Sequence, residues 1–257
     1  MTYCAGMLLS SGMVMLSDSR TNAGVDHIST FRKMHVWEVP GERVIVLMSA
    51  GNLSVSQTVI NLLREGIDNA DGNTETLLTV KSMFDAARLV GEAVKQVHSM
   101  YGDALVADAG GFNVSLILGG QIRGRGLRLF QIYSAGNFIE ASRQTPFFQI
   151  GETKYGKPIL DRLLTYSTPL TDAMKLGLIS MTSTLRSNLS VGMPLSLVVY
   201  KRDSLELAMN RTIEEGDSYF HSLSDSWSEA LNRAFGNLPD PDWEEPLLKL
   251  MGPNNSI

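Results

Sequence analysis

The chain has 257 residues, with 22 Lys plus Arg against 27 Asp plus Glu for a net charge of −5, 44% hydrophobic and 19% charged residues, and one cysteine, Cys4. A chain of this length buries a large core without disulfide or metal staples, and its apolar content excludes a disordered protein. The mild acidity gives no global electrostatic reason to bind nucleic acid or an anionic membrane, and a lone cysteine excludes a disulfide framework and fits a reducing compartment.

Met1–Leu16 is apolar, yet it carries no Lys or Arg before Arg20 and is cut by Ser10, Ser11 and Gly12. It therefore reads as strand and turn, not as an export signal. Nothing reaches the run of about 18 apolar residues that a membrane span needs, so a cytoplasmic protein is expected. Thr2–Ser10 and Met13–Ser17 form a first predicted hairpin around the Ser-Ser-Gly turn, and Lys33–Val39 and Arg43–Ala50 a second around Pro40-Gly41. Helical spacing follows, first in Val55, Val59, Leu62 and Leu63, then in Val80, Met83, Phe84, Ala87, Val90, Val94 and Val97, with a loop at Asn69–Thr74 between them. Strand character returns at Phe112–Leu118 and Leu127–Ser134, joined through Gly119-Gly120 to Gly126, and again at Pro146–Ile150. Two helices are predicted at Lys157–Leu164 and Leu170–Leu185, the second with Thr168 as N-cap and Pro169 at its first position. Leu195–Tyr200 and Leu205–Asn210 read as a last hairpin, and Phe220, Leu223, Trp227, Leu231 and Phe235 as a last helix.

Adjacent strand pairs with short turns predict antiparallel sheets, and helices arriving in pairs predict covered outer faces. A four-layer αββα sandwich, an α+β fold, satisfies both. Residues 1–238 are expected to form a single domain and 239–257, rich in proline, an extended tail. The tail keeps Trp243, Leu247, Leu248, Leu250 and Met251, an apolar set suited to a neighbouring subunit.

Several sites have bland readings. His27, His35, His98 and His221 are isolated, without zinc-site spacing, so no metal is expected. Arg123, Arg125 and Arg128 sit among glycines, as at a solvated hairpin tip. Gly151–Lys157 fits G-x-x-x-x-G-K, but Pro158 stands where a phosphate loop needs a hydroxyl, which favours a plain strand-to-helix turn. The amino terminus carries sharper chemistry. A small residue after Met1 permits methionine removal, and a terminal Thr2 then has a hydroxyl nucleophile and an α-amine base on one residue. Lys33 is a candidate cation to lower the amine pKa, and Asp18 its ordering partner. On the residues alone a second reading stays open, in which Thr2 is a common second residue and Ser17–Arg20 a polar strand end.

An N-terminal Thr, Ser17-Asp-Ser-Arg20, Lys33 and Ser49-Ala-Gly51 together resemble the proteasome β-subunits and their Ntn-hydrolase relatives. The longer phrases Ser17–Asp26, Thr30–Lys33 and Gly151–Pro158 are similar to the Anbu family of ancestral β-subunits. The resemblance covers nearly the whole chain and implies an αββα fold. It implies Thr2 as nucleophile and base, Lys33 and Asp18 as its charged neighbours, Arg20 as support for the Asp18 turn, and the Gly51 N–H as oxyanion donor. No cofactor is implied. Two positions depart from the β-subunit pattern: Glu152 stands for a Ser, and Ser187 for an Asp in a phrase whose Ser190 is kept. The expected function is a self-assembling threonine-type hydrolase of peptide or amide bonds, a homo-oligomer closing as a ring or running as an open helix. Alternatives are an Ntn amidohydrolase or amide ligase on a small or specialised substrate, and an assembly subunit without turnover. A partner ATPase or cofactor protein is left open.

Overall fold

The computed structural model describes residues 1–22, 28–68, 72–107 and 111–239. The first sheet is built from β1 (Tyr3–Leu9), β2 (Gly12–Ser17), β12 (Phe147–Gly151), β13 (Leu195–Lys201) and β14 (Leu207–Ile213) in the order β12-β1-β2-β13-β14. The second is built from β5 (Met34–Val39), β6 (Arg43–Gly51), β9 (Val114–Ile122), β10 (Arg128–Ile132) and β11 (Phe138–Glu140) in the order β11-β10-β9-β6-β5. Every pairing in both sheets is antiparallel. Two short ladders, β3 (Arg20–Asn22) with β4 (Ile28–Thr30) and β7 (Ile67–Asp68) with β8 (Thr74–Glu75), decorate the connections.

The helices are α1 (Leu53–Glu65), α2 (Met83–Ala107), α3 (Lys157–Leu163), α4 (Leu170–Ser187) and α5 (Ser218–Gly236). Strand alternation sorts the apolar residues into three interfaces. On β6, Ile45 and Leu47 pack under α1 and α2, whereas Val44, Val46 and Met48 meet the other sheet. On β1, Tyr3, Ala5, Met7 and Leu9 pack under α3 and α4, whereas Cys4 and Leu8 face inward. The central strands are thus buried on both faces, which is why they read as unbroken apolar runs. Each fully buried Leu or Met contributes about 1.5–3 kcal/mol. This is the αββα sandwich.

Four expectations need correction. Gly119 and Gly120 are not a turn but lie inside β9. A Cβ on Gly119 would stand 2.3 Å from the Met13 sulfur of the facing sheet, so the glycine permits close sheet approach. Thr168 does not cap α4: its hydroxyl accepts the Thr165 N–H in the preceding turn, and Pro169 holds the cap position without a side-chain bond. The last hairpin pairs Leu207–Ile213 instead of Leu205–Asn210, because a positive φ at Asp203 and Leu205 lengthens the turn. Phe138–Glu140, unassigned in the sequence reading, adds an edge strand held by the Arg128–Glu140 ion pair. The tail after residue 239 and part of the loop at 69–74 lie outside the described residues. Among those described, no helix is long and apolar enough to cross a membrane.

Candidate active site

Strand ends from both sheets converge on one edge of the sandwich. Thr2 immediately precedes β1, Asp18 follows β2, Lys33 precedes β5, and Gly51 closes β6. Cys4 pairs with Ser17 in the β1–β2 ladder, which sets Asp18 beside Tyr3. Asp18 Oδ1 accepts the Tyr3 N–H at 3.0 Å, and the Tyr3 carbonyl accepts the Asp18 N–H at 3.1 Å. Lys33 reaches across from the second sheet. Its Nζ donates to Asp18 Oδ1 at 2.8 Å, to the Arg20 carbonyl at 2.6 Å and to the Met1 carbonyl at 3.4 Å. The Gly192 N–H donates to Asp18 Oδ2 at 3.2 Å, so both carboxylate oxygens have partners.

Burial dominates the electrostatics. It pushes the Asp18 carboxyl above the usual carboxylate range, against the pull of Lys33 and the two backbone donors. Burial, then the Lys33 cation, holds the Met1 ammonium below its ordinary value, with Asp18 opposing. The Met1 amine is therefore biased toward the free base. Cys4 faces the same side of β1 as Thr2, but burial pushes its thiol well up, and Asp18 adds to the rise. A neutral buried thiol is a poor nucleophile, so Cys4 is inert.

Thr2 is only 8% exposed, and its carbonyl accepts the Glu152 N–H at 2.6 Å. It borders an open cleft of about 1340 Å³ that also includes Lys33, Ser49, Gly51 and Gly151. Gly51 has φ +111°, and a Cβ there would lie 2.3 Å from the Asn113 carbonyl oxygen. Only glycine allows β6 to turn into α1 at this point. Asn52 then caps α1, its Oδ1 accepting the Ser54 N–H at 3.0 Å and the Val55 N–H at 3.4 Å. The positive end of the α1 dipole thus sits at the cleft, beside Gly51.

The structure brings Thr2, Asp18, Lys33 and Gly51 to one edge, and two of the supporting positions join them. Arg20 receives Lys33 on its carbonyl and donates its guanidinium to the Leu189 carbonyl at 3.1 Å. Glu152 is buried, with Oε2 accepting from Asn188 Nδ2 at 3.1 Å and Oε1 from the Lys154 N–H at 3.2 Å. Ser190 joins only indirectly, its N–H donating to Asn188 Oδ1 at 2.9 Å. Ser187 is not brought in: it lies exposed in the last turn of α4, and its neighbour Asn188 makes the link to Glu152. Sequence reasoning missed Asn188 and Asn52. An Asn directly before a helical stripe is the N-cap signal that would have found Asn52. Gly151–Lys157 is a strand-to-helix turn ending in Pro158 of α3. Among the described residues, no group of three His, Cys, Asp or Glu could hold a metal ion.

Over 93% of this chain and 99% of its own, the solved structure of Anbu (ancestral β-subunit) from Yersinia bercovieri is 52% identical, with a TM-score of 0.85. The chain belongs to the Anbu family. The structure described as the helical assembly of the Anbu complex from Pseudomonas aeruginosa is 48% identical over 95% of this chain and 99% of its own, at a TM-score of 0.88. Anbu from Hyphomicrobium sp. strain MC1 is likewise 48% identical over 93% and 99%, at 0.85. No protein-family model matches the chain, and no curated protein matches it. Membership carries the proteasome-β-like fold and confirms the resemblance read from Ser17–Asp26 and Gly151–Pro158.

Proposed function

We propose that this chain is a threonine-type N-terminal-nucleophile hydrolase of peptide or amide bonds that works as a homo-oligomer. What carries the reading is Lys33, a buried cation tied to Asp18 and within 3.4 Å of the carbonyl that precedes Thr2, at a cleft large enough for a peptide. Hydrolytic removal of Met1 leaves an α-amine on Thr2 beside that cation. The amine takes the proton from Thr2 Oγ1 as the oxygen attacks the substrate carbonyl carbon. The Gly51 N–H, at the positive end of α1, stabilises the developing oxyanion, a contribution of about 3 kcal/mol. The amine then gives the proton to the leaving nitrogen as the C–N bond breaks, and a Thr2 ester remains. Water attacks that ester with the amine as base, the C–O bond breaks, and Oγ1 recovers its proton. The helical assembly described for the Pseudomonas aeruginosa relative supports the homo-oligomer.

A second reading, an Ntn amidohydrolase or amide ligase acting on a specialised substrate, draws on Glu152, a buried carboxylate where β-subunits carry Ser. The test is intact mass before and after a peptide epoxyketone, which bonds both the hydroxyl and the amine of one terminal residue. One adduct per chain, mapped to Thr2 in a chain lacking Met1, is the expected result. A folded chain that keeps Met1 in its native host would sink the mechanism. A Met1-free, folded, unlabelled chain would favour the assembly subunit without turnover.

A further inference from the structure

The cleft at Thr2 has a chemically distinct basic lining. One face of α1 lines it through Leu53, Ser56, Gln57, Ile60, Asn61 and Arg64, positions three or four apart that share a side of the helix. Arg32 and His35 line the same cleft. Arg64 donates to His35 Nδ1 at 3.2 Å, so the ring nitrogen that receives it is unprotonated. Burial first, and the two guanidinium groups second, hold His35 down at about 4. At neutral pH the ring is therefore an uncharged neighbour of two permanent cations.

The charged lining of the cleft is cationic. Among the described residues lining the cleft, Lys33, Arg32 and Arg64 are cationic and none is Asp or Glu. Lys33 is neutralised by Asp18, but neither Arg32 nor Arg64 has a carboxylate partner among the described residues. Two guanidinium groups that line one cavity without a carboxylate partner among the described residues fit a planar two-oxygen anion better than any neutral group.

The geometry points to an anion-accepting subsite formed by Arg32, His35 and Arg64, which makes the preferred substrate one that carries a carboxylate on the acyl side of its scissile amide. The inference rests on the proposed Thr2 hydrolysis and names its substrate class. That carboxylate comes from either of two sources, the side chain of a Glu or Asp in an ordinary peptide or the α-carboxylate of a γ-linked glutamyl amide. Both place one anion a few bonds from the reacting carbonyl. A Lys or Arg side chain at the same place meets two like charges and is rejected.

The experiment uses the assembled, Met1-free protein and a matched set of peptide epoxyketones. Glu, Gln, norleucine or Lys occupies the residue bearing the warhead in one series and the residue before it in another, and labelling of Thr2 is followed by intact mass. A Glu probe is expected to label about tenfold faster than its Gln and norleucine counterparts in at least one series, with Lys slowest. In the Arg32→Gln/Arg64→Gln double variant the Glu-to-norleucine rate ratio is expected to fall about tenfold. Competition by α-linked acetyl-Glu-amide against γ-glutamyl amide identifies the source of the carboxylate. Equal rates for Glu and norleucine in both series, or a ratio unchanged in the double variant, would overturn the subsite while leaving the hydrolase standing. If no probe labels Thr2, the hydrolase reading fails, and calorimetry with N-acetylglutamate decides the subsite alone. Binding lost in the double variant sustains it, and no binding removes it.

Discussion

Two polar clusters bridge the sheets at opposite ends of the sandwich. At the far end Gln121 of β9 accepts the Tyr200 hydroxyl at 2.7 Å and the Asp203 N–H at 3.0 Å through one oxygen. Its amide nitrogen donates to the Arg125 carbonyl at 2.8 Å and to Asp203 Oδ1 at 2.6 Å. Both hydrogens and both lone pairs of that amide are used, and the cluster closes the end of the core. At the other end Lys33 and Asp18 also bridge the sheets, but they form an ion pair, and Lys33 borders the cleft. A saturated network centred on an amide locks a sandwich, whereas an ion pair at an open edge biases the protonation of whatever sits beside it. The same device, a buried polar bridge, is thus structural at one end and chemical at the other.

The comparison breaks most directly at Lys33. Lys33→Ala is expected to slow epoxyketone labelling of Thr2 by about a thousandfold, and to cost about 3 kcal/mol in a urea melt by leaving Asp18 buried without its cation. Labelling at the wild-type rate in that variant would show that the charged bridge has no chemical role. Gly51→Ala comes next. Its new Cβ collides with the Asn113 carbonyl and moves the oxyanion donor, so labelling should fall about a hundredfold while the melt shifts by only about 1–3 kcal/mol. Gln121→Leu sharpens the contrast from the other side. It removes the acceptor of the Tyr200 hydroxyl and of the Asp203 N–H and is expected to cost about 2–3 kcal/mol with Thr2 labelling unchanged.

The smallest effect is a pH slope. Burial raises Asp18 in the folded chain, so from about pH 4 upward the unfolded chain has already lost a proton that the folded chain keeps. Stability should therefore fall as pH rises from there through the raised folded value. Asp18→Asn should flatten that segment of the urea-midpoint profile, and an unchanged slope would assign it to other groups.

The strong turns Ser10–Gly12 and Pro40-Gly41 and the helical stripes were legible because each depends on neighbours in sequence. Gly119-Gly120 was not, because those glycines answer to Met13 and Val44 on strands more than seventy residues away. Thr168 carried a capping side chain, but the turn at Thr165 competed for the hydroxyl and won. At the site, Thr2, Asp18, Lys33 and Gly51 could be found from their phrases. Asn188 could not, since its partner Glu152 lies 36 positions earlier and only the fold joins them. Arg64 and His35 were equally hidden, one on a helix and one on a strand that no local pattern connects.

Chain ends usually fray, yet the peptide group between Thr2 and Tyr3 is clamped on both sides. Its carbonyl is taken by the Glu152 N–H at 2.6 Å and its N–H by Asp18 at 3.0 Å. An exopeptidase must draw the bond it cuts out into an extended groove of its own. In the folded chain the bond before Thr2 follows an exposed Met1, whereas the bond after it is woven into the sheet. The fold therefore sets an expected stop for trimming: the exposed Met1 is open to removal, whereas the bond after the threonine is held in the sheet.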